Sequence, residues 1–337
     1  MSKKGHALIR AQAYELLAGI LPLWEIRPSK SECMEIKAEL PFTLERYLEG
    51  GKGERLLIVP PIINHPWILD MRPEVSVIRR FCEQGFEVYM VGWNSNHEQE
   101  IGFYSMVSYI REVLARIGNA SVFGYCTGGI IALLFTSFCP SLVNSLSLLA
   151  TPVDFSKPDI RILWGKCFDA GFFRRMFRNV PGEVINAIGI VLLYYHLPQF
   201  SSHREFVEEM MSQEVLMDYW RRLRWIVETP AVPGKVYEEF IQGCYKENAL
   251  IRNAMRIDGH RVDLSRIDVP VLNIMAQYDH IVPIASMQGL RAAVSSPHYE
   301  ELLFPSSHVG LSVGKKAHET LWPRVAQWIA EHSKRSL

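Results

Sequence analysis

The segment Gly124-Tyr125-Cys126-Thr127-Gly128-Gly129 constrains this chain more than any other. It lies between two apolar runs, Ser121-Val122-Phe123 before it and Ile130-Ile131-Ala132-Leu133-Leu134 after it. A strand that turns straight into a helix can hold one side chain at the apex of the turn. It does so only with a strained backbone and small residues two places to either side. Gly124 and Gly128 stand at those places, and Cys126 stands at the apex. The pattern therefore predicts an α/β fold presenting a reactive thiol. A thiolate attacks thioesters readily and leaves easily, which suits acyl transfer from a carrier thiol better than simple ester hydrolysis.

The rest of the chain supplies the alternation such a turn requires. Leu56-Leu57-Ile58-Val59 is continuously apolar and ends in Pro60-Pro61, as a buried parallel strand would. A helix is expected over about 66–83, stopped by Gly85. A strand follows over 86–91, a helix over 103–117, and another strand over 143–149. The alternation breaks near Phe155 and resumes at Val269-Pro270-Val271-Leu272. The stretch between is helical in pattern, rich in aromatics and punctuated by Pro181, Pro198, Pro230 and Pro233. The organisation read from this is a lead-in over 1–50, opening with a helix, then an α/β core over 51–154 and 260–337. A helical cap over 155–259 is inserted into that core.

Composition narrows the function. Of the 337 residues, 48% are hydrophobic and 21% charged, enough to bury a large core. Lys+Arg and Asp+Glu are both 36, and no basic cluster stands out, which argues against nucleic-acid binding. The six cysteines are scattered without zinc-ligand or C-x-x-C spacing, so no metal site is expected and a reducing cytosol is. No signal peptide is read at the N-terminus. The apolar run over 184–195 is broken by Asn186 and too short for a bilayer. The reading is a cytoplasmic protein without a transmembrane segment.

A thiol nucleophile needs a base and an acid, which on such a sheet follow it in the chain in the order acid, then base. The strand over 271–276 runs into Gln277-Tyr278-Asp279-His280, and the strand over 299–304 runs into Pro305-Ser306-Ser307-His308. Asp279 and His308 are thus the expected acid and base for Cys126. The oxyanion hole is expected from the backbone N–H of Thr127 and that of Ile62 or Ile63, because Pro61 has no N–H to give. His280 is assigned a minor structural role, the remaining histidines are read as surface or packing groups, and Trp225 and Tyr245 as cap core.

With these residues in place, the sequence resembles the polyhydroxyalkanoate synthases, members of the α/β-hydrolase superfamily, over about 56–329. It most resembles the catalytic subunit of the two-subunit short-chain type. The resemblance rests on Pro60-Pro61-Ile62-Ile63-Asn64, Trp67-Ile68-Leu69-Asp70, Gly85-Phe86-Glu87-Val88-Tyr89 and the cysteine box itself. Further pieces are Thr151-Pro152-Val153-Asp154-Phe155, Asn179-Val180-Pro181-Gly182, Tyr245-Lys246-Glu247-Asn248, Asp279-His280-Ile281-Val282-Pro283 and His308-Val309-Gly310. The chain departs from its relatives at Ser306-Ser307, where many carry two glycines, and at Gly92-Trp93-Asn94.

The resemblance implies a mostly parallel sheet with helices on both faces under an inserted helical cap. It implies that Cys126 takes a 3-hydroxyacyl group from coenzyme A (CoA), that His308 deprotonates Cys126, and that Asp279 helps activate the incoming 3-hydroxyl. CoA is then a substrate and no cofactor is expected. The implied partners are a second synthase subunit, a homodimer mate and the surface of polyester granules. The alternatives on the same scaffold are a thioesterase or esterase and a non-catalytic granule-associated homologue.

Overall fold

The computed structural model describes residues 28, 31–36, 42–48, 51–93, 100–182, 184–185, 217–218, 220–222, 224–225 and 228–333. Eight strands form one sheet: β1 (Cys33–Ile36), β2 (Thr43–Tyr47), β3 (Arg55–Val59), β4 (Glu87–Gly92), β5 (Ala120–Tyr125), β6 (Val143–Leu149), β7 (Val271–Ala276) and β8 (Tyr299–Phe304). Their order is β1-β2-β4-β3-β5-β6-β7-β8. From β4 to β8 every pairing is parallel, whereas β1 on β2 and β2 on β4 are antiparallel. The lead-in thus adds two strands to one edge of the sheet. The helix expected at its start lies outside the described residues.

Alternation along the strands divides the core in two. Leu57 and Val59 of β3 and Val122 of β5 face a cluster that holds helices α2 (Phe103–Ile117) and α3 (Thr127–Phe138). Leu56, Ile58 and Phe123 face the opposite cluster, with α1 (Val77–Glu83) and α7 (Trp322–His332, the last described helix). A period of two on a strand sends successive side chains to opposite faces, so a continuously apolar strand requires helices on both.

In α2 the buried residues Phe103, Met106, Val107, Ile110, Val113 and Leu114 recur at helical spacing and leave one face for solvent. By contrast α3 is buried all round, from Thr127 to Ser137, as the central helix behind the apex residue must be. On the other face, fully buried Trp322 of α7 meets Phe81 of α1 and Phe123 of β5, each at 5.8 Å between ring centroids. Truncating it to Ala would cost about 3–5 kcal/mol.

The helix expected over 66–83 is three pieces: a 3₁₀ turn at Pro66–Leu69, another at Pro73–Val75, and α1. The chain is diverted by the buried Asp70 carboxylate, which accepts from Ser76 Oγ at 2.6 Å and from the Ser31 N–H and hydroxyl at 2.7 and 2.8 Å. Ser76 in turn caps α1, accepting from the Arg79 N–H at 2.9 Å.

Between β6 and β7 the described chain leaves the sheet as α4 (Ile160–Cys167), α5 (Ala170–Met176) and α6 (Gly234–Glu239), the last continuing into a π-helical turn at Phe240–Lys246. Asn179–Val180 pairs antiparallel with Val232–Pro233. Most of the apolar run over 184–195 lies outside the described residues. Among those described, no helix is long and apolar enough to cross a membrane.

Candidate active site

Cys126 stands between β5 and α3 with φ 52° and ψ −121°, a conformation that L-residues avoid. Its N–H donates to Leu149 O on β6 at 2.8 Å, and its carbonyl accepts from the Gly129 N–H at 3.0 Å. The flanking glycines are steric necessities. A Cβ on Gly124 would lie 2.5 Å from Gly129 Cα, and one on Gly128 would lie 2.2 Å from Pro60 O and 2.3 Å from Val59 O. The turn is pressed against the end of β3, and only hydrogen fits at those points. The strain at Cys126 is held by a sheet buried on both faces.

Asp279 follows β7 and His308 follows β8, and the parallel pairing of those strands brings their two loops together. His308 Nδ1 and Asp279 Oδ2 are 2.8 Å apart. The pair is enclosed, with His308 4% and Asp279 8% exposed. The second carboxylate oxygen, Oδ1, accepts from the N–H groups of Ile281 and Val282 at 2.8 and 2.7 Å. Both oxygens of Asp279 are therefore engaged, and the hydrogen bond at Nδ1 leaves the other ring nitrogen of His308 as its chemical face.

Burial alone would push the His308 pKa down. The Asp279 carboxylate overrides it, with Tyr125, Cys126 and the hydrogen bond to Asp279 adding in the same sense, and holds His308 well above the ordinary imidazole value. The predicted acid and base thus form one bonded pair, and the ring of the residue before Cys126 lies against it. Tyr125, one residue before the nucleophile, stacks its ring beside His308 at 5.3 Å between centroids.

Of the expected oxyanion donors, Ile62 and Thr127 are in direct contact. The Ile62 N–H donates to Thr127 Oγ1 at 2.9 Å in a buried hydrogen bond, so the residue after the nucleophile also fastens the loop after β3. Trp93 steadies the same loop by donating its indole N–H to Pro60 O at 2.9 Å.

Three further contributors lie outside the expected catalytic and oxyanion set, although Tyr245 and Asn248 fall in one of the motifs that carry the resemblance. Arg161 of α4 donates from Nη1 to Asp279 O at 2.7 Å, while the Asp159 carboxylate holds its other nitrogens at 2.6 and 2.7 Å. The cap thereby grips the loop of the predicted acid. Asn248, at φ 49°, accepts from the Phe155 N–H at 2.8 Å and donates to Asp154 Oδ1 at 2.9 Å, tying together the two ends of the inserted segment. Tyr245 packs on Phe155 at 4.6 Å between ring centroids, and its pKa is raised first by burial and then by Cys126. The ring expected in the cap core is core, and it also borders the site. His280 stands beside Asp279 and outside the pair. Among the described residues no cluster of His, Cys, Asp and Glu is arranged to hold a metal.

Comparison with known proteins places this geometry. The sequence model of the family described as the alpha/beta hydrolase fold matches residues 86–315. The poly(3-hydroxyalkanoate) polymerase subunit PhaC of Allochromatium vinosum is 30% identical over 287 residues, covering 82% of this chain and 80% of that protein. The subunit of the same name from Haloarcula marismortui is 31% identical over 290 residues, covering 82% of this chain and 61% of that protein. That of Haloferax mediterranei is 30% identical, and the chain spans 59% of its length.

Among solved structures, the monoacylglycerol lipase of Paleococcus ferrophilus matches with a TM-score of 0.56 at 13% identity, covering 89% of this chain and 99% of that one. The enol-lactonase of Burkholderia xenovorans matches with a TM-score of 0.57 at 14% identity, covering 88% and 99%. At such identities these two share the fold. The chain belongs to the α/β-hydrolase fold family and, within it, to the poly(3-hydroxyalkanoate) polymerase PhaC subunits.

Proposed function

We propose that this chain is the catalytic subunit of a polyhydroxyalkanoate synthase, an acyltransferase that polymerises 3-hydroxyacyl-CoA through a thioester on Cys126. The observation that carries it is the enclosed Asp279–His308 pair, bonded at 2.8 Å, with the ring of Tyr125 stacked on it directly before a cysteine held at the apex of a strained turn.

In this mechanism His308 takes the thiol proton of Cys126, and the thiolate attacks the acyl-CoA carbonyl. The oxyanion is met by the Thr127 N–H and by the loop of Ile62 and Ile63, where the Ile62 N–H exchanges Thr127 Oγ1 for the substrate oxygen. The C–S bond to CoA breaks and His308 returns the proton to the leaving thiolate. In the second half, His308 takes the proton of an incoming unit's 3-hydroxyl, whose oxygen attacks the Cys126 thioester; the C–S bond breaks, the ester forms, and the proton returns from His308 to the freed cysteine. Because both Asp279 oxygens are engaged, Asp279 acts here through His308, by orienting the imidazole and favouring its charged form. The cap, packed over the site by Tyr245 and Phe155, keeps water from competing with the hydroxyl.

No cofactor is needed, since the CoA thioester brings its own driving force. A second synthase subunit and a granule surface belong to the same reading, as does a cytoplasmic location. The test is to supply 3-hydroxybutyryl-CoA to the purified chain and follow CoA release and the fate of the acyl group. Insoluble polyester supports the reading, whereas stoichiometric free 3-hydroxybutyrate would make the chain a thioesterase.

A further inference from the structure

Between Glu100 and Ile101, just before α2, and the cap there is a cavity of about 290 Å³. Its walls carry four cations, Arg174, Arg175, Arg178 and Lys235, against the carboxylate of Glu100. On the cap side, the Asn179–Val180 ladder with Val232–Pro233 forms the wall, closed by the Gly234 N–H donating to Arg178 O at 2.8 Å. On the core side, Glu239 of α6 accepts from the Phe103 N–H at the start of α2, at 2.6 Å.

The four cations differ in how they are used. Arg174 is bound to Glu238 and, at 2.5 Å, to Glu100, while Lys235 is bound to Asp258 at 2.5 Å. These two hold the walls. Arg175 and Arg178 are exposed and make no ion pair among the described residues. Two guanidinium groups without carboxylate partners among the described residues, in a concave, positively lined site, favour a multiply charged anion with paired acceptor oxygens for their planar forks, which is the chemistry of phosphate.

The cavity and the nucleophile lie beyond the same, carboxyl-terminal edge of the sheet: Glu100 and Ile101 follow β4, Cys126 follows β5, and β3 pairs parallel with both strands. Ile62 is bonded to Thr127, and two residues further on Asn64 Nδ2 donates to Thr229 Oγ1 at 3.3 Å. From Thr229 to Pro233 on the cavity wall is four residues, which span at most about 14 Å when fully extended. A ligand that reacts at Cys126 and carries its phosphates at the end of a flexible arm suits two places beyond one sheet edge, and the pantetheine arm of CoA is such an arm.

We propose that this cavity is the phosphate-binding subsite for the CoA portion of the acyl donor, with Arg175 and Arg178 bonding the phosphates directly. The inference rests on the function proposed above, yet its test does not require turnover. CoA, 3′-dephospho-CoA and pantetheine are titrated calorimetrically into the whole chain and into Arg175→Gln/Arg178→Gln. The double variant is expected to bind CoA about 100-fold more weakly, about tenfold for each charged guanidinium–phosphate hydrogen bond removed. Its affinity for pantetheine stays as in the parent, and Arg175→Lys/Arg178→Lys, which restores the charge without the fork, recovers only part of the affinity for CoA.

The wild-type preference for CoA over pantetheine should shrink as salt is raised. An equal loss for CoA and 3′-dephospho-CoA assigns the arginines to the pyrophosphate, and a loss confined to CoA assigns them to the 3′-phosphate. CoA affinity within twofold of wild type in the double Gln variant would overturn the subsite, as would equal weakening of CoA and pantetheine. An absence of hydroxyacyl adduct on Cys126, with CoA still held by the arginines, would instead sink the proposed function and leave the subsite standing.

Discussion

In the sheet, every residue of β5 and β7 is buried, and the helices on either face close over them. In the cap, α4 and α5 leave Ile160 and Leu163 55% and 52% exposed, and Phe172 and Met176 44% and 56% exposed. The core can hold Cys126 at φ 52° because packing on both faces leaves the turn nowhere to relax. The inner side of the cap joins that core through buried apolar residues, Ile162, Ala170, Val236 and Phe240 among them, and polar ties add to it: Arg161 to the Asp279 carbonyl, Asn248 to Phe155 and Asp154, and Glu239 to the Phe103 N–H. The reacting groups therefore sit on the part buried on every side, and the surroundings of the substrate sit on the part that keeps an exposed apolar face.

The largest effect should come from breaking the rigid side at its tightest point. Gly128→Ala would drive a methyl to within 2.3 Å of two backbone carbonyl oxygens, neither at the end of a flexible side chain. The expected outcome is loss of the cooperative unfolding transition in calorimetry or, at the least, destabilisation beyond about 3 kcal/mol.

Next comes the acid–base pair. Asp279→Asn keeps the shape but removes the charge that sustains His308, and Cys126 acylation should slow by about 10³- to 10⁴-fold in a single-turnover assay. The same variant has a pH signature. His308 holds its proton more tightly folded than unfolded, so its stabilisation is complete below the ordinary value of 6.5 and fades as pH rises through the raised folded value. The stability gap between wild type and Asp279→Asn should accordingly be widest just below pH 6.5 and narrow above it, as thermal melts across a pH series would show.

A second buried histidine of the core titrates the opposite way. Burial lowers the His318 pKa to about 4, against the raising influence of the Ser312 carbonyl that its Nε2–H meets at 2.7 Å. Its folded value is depressed, so its contribution is present above 6.5 and is lost as pH falls towards 4, by up to about 3 kcal/mol. His318→Leu should flatten that acid limb in denaturant titrations at pH 7 and pH 4.5. An unchanged acid limb would remove His318 from the account.

The smallest effect tests the cap. Asn248→Ala removes both hydrogen bonds at the base of the insertion, at a cost of about 1–2 kcal/mol. Hydrogen exchange should speed up across α4 and α5 while β5 and β7 stay protected. Equal acceleration in the sheet would dissolve the distinction between the two regions.

The same division decides what can be read from the sequence. The strands from β3 to β8 and the helix over 103–117 are legible because buried parallel strands and amphipathic helices write strong periodicities. Asp279 and His308 are legible because each follows such a strand. The edge strands β1 and β2 are short and only partly buried, so they read merely as a strand-like lead-in. The broken helix over 66–83 reads as continuous because the diverting agent, Asp70, acts through bonds with Ser31 and Ser76 that no local pattern announces. Arg161 escapes sequence reading for a similar reason, since its partner lies 118 positions away, and the motif that holds Asn248 does not announce its bond to Asp154, 94 positions away. Polar ties of that range leave no period in the chain.

The central claim is that Cys126 carries the acyl group, and intact-protein mass spectrometry after mixing with 3-hydroxybutyryl-CoA tests it most directly. The account predicts one hydroxybutyryl increment mapping to Cys126 on digestion, absent from Cys126→Ala although that variant unfolds like wild type. An adduct on another residue, or CoA release undiminished in Cys126→Ala, would contradict it.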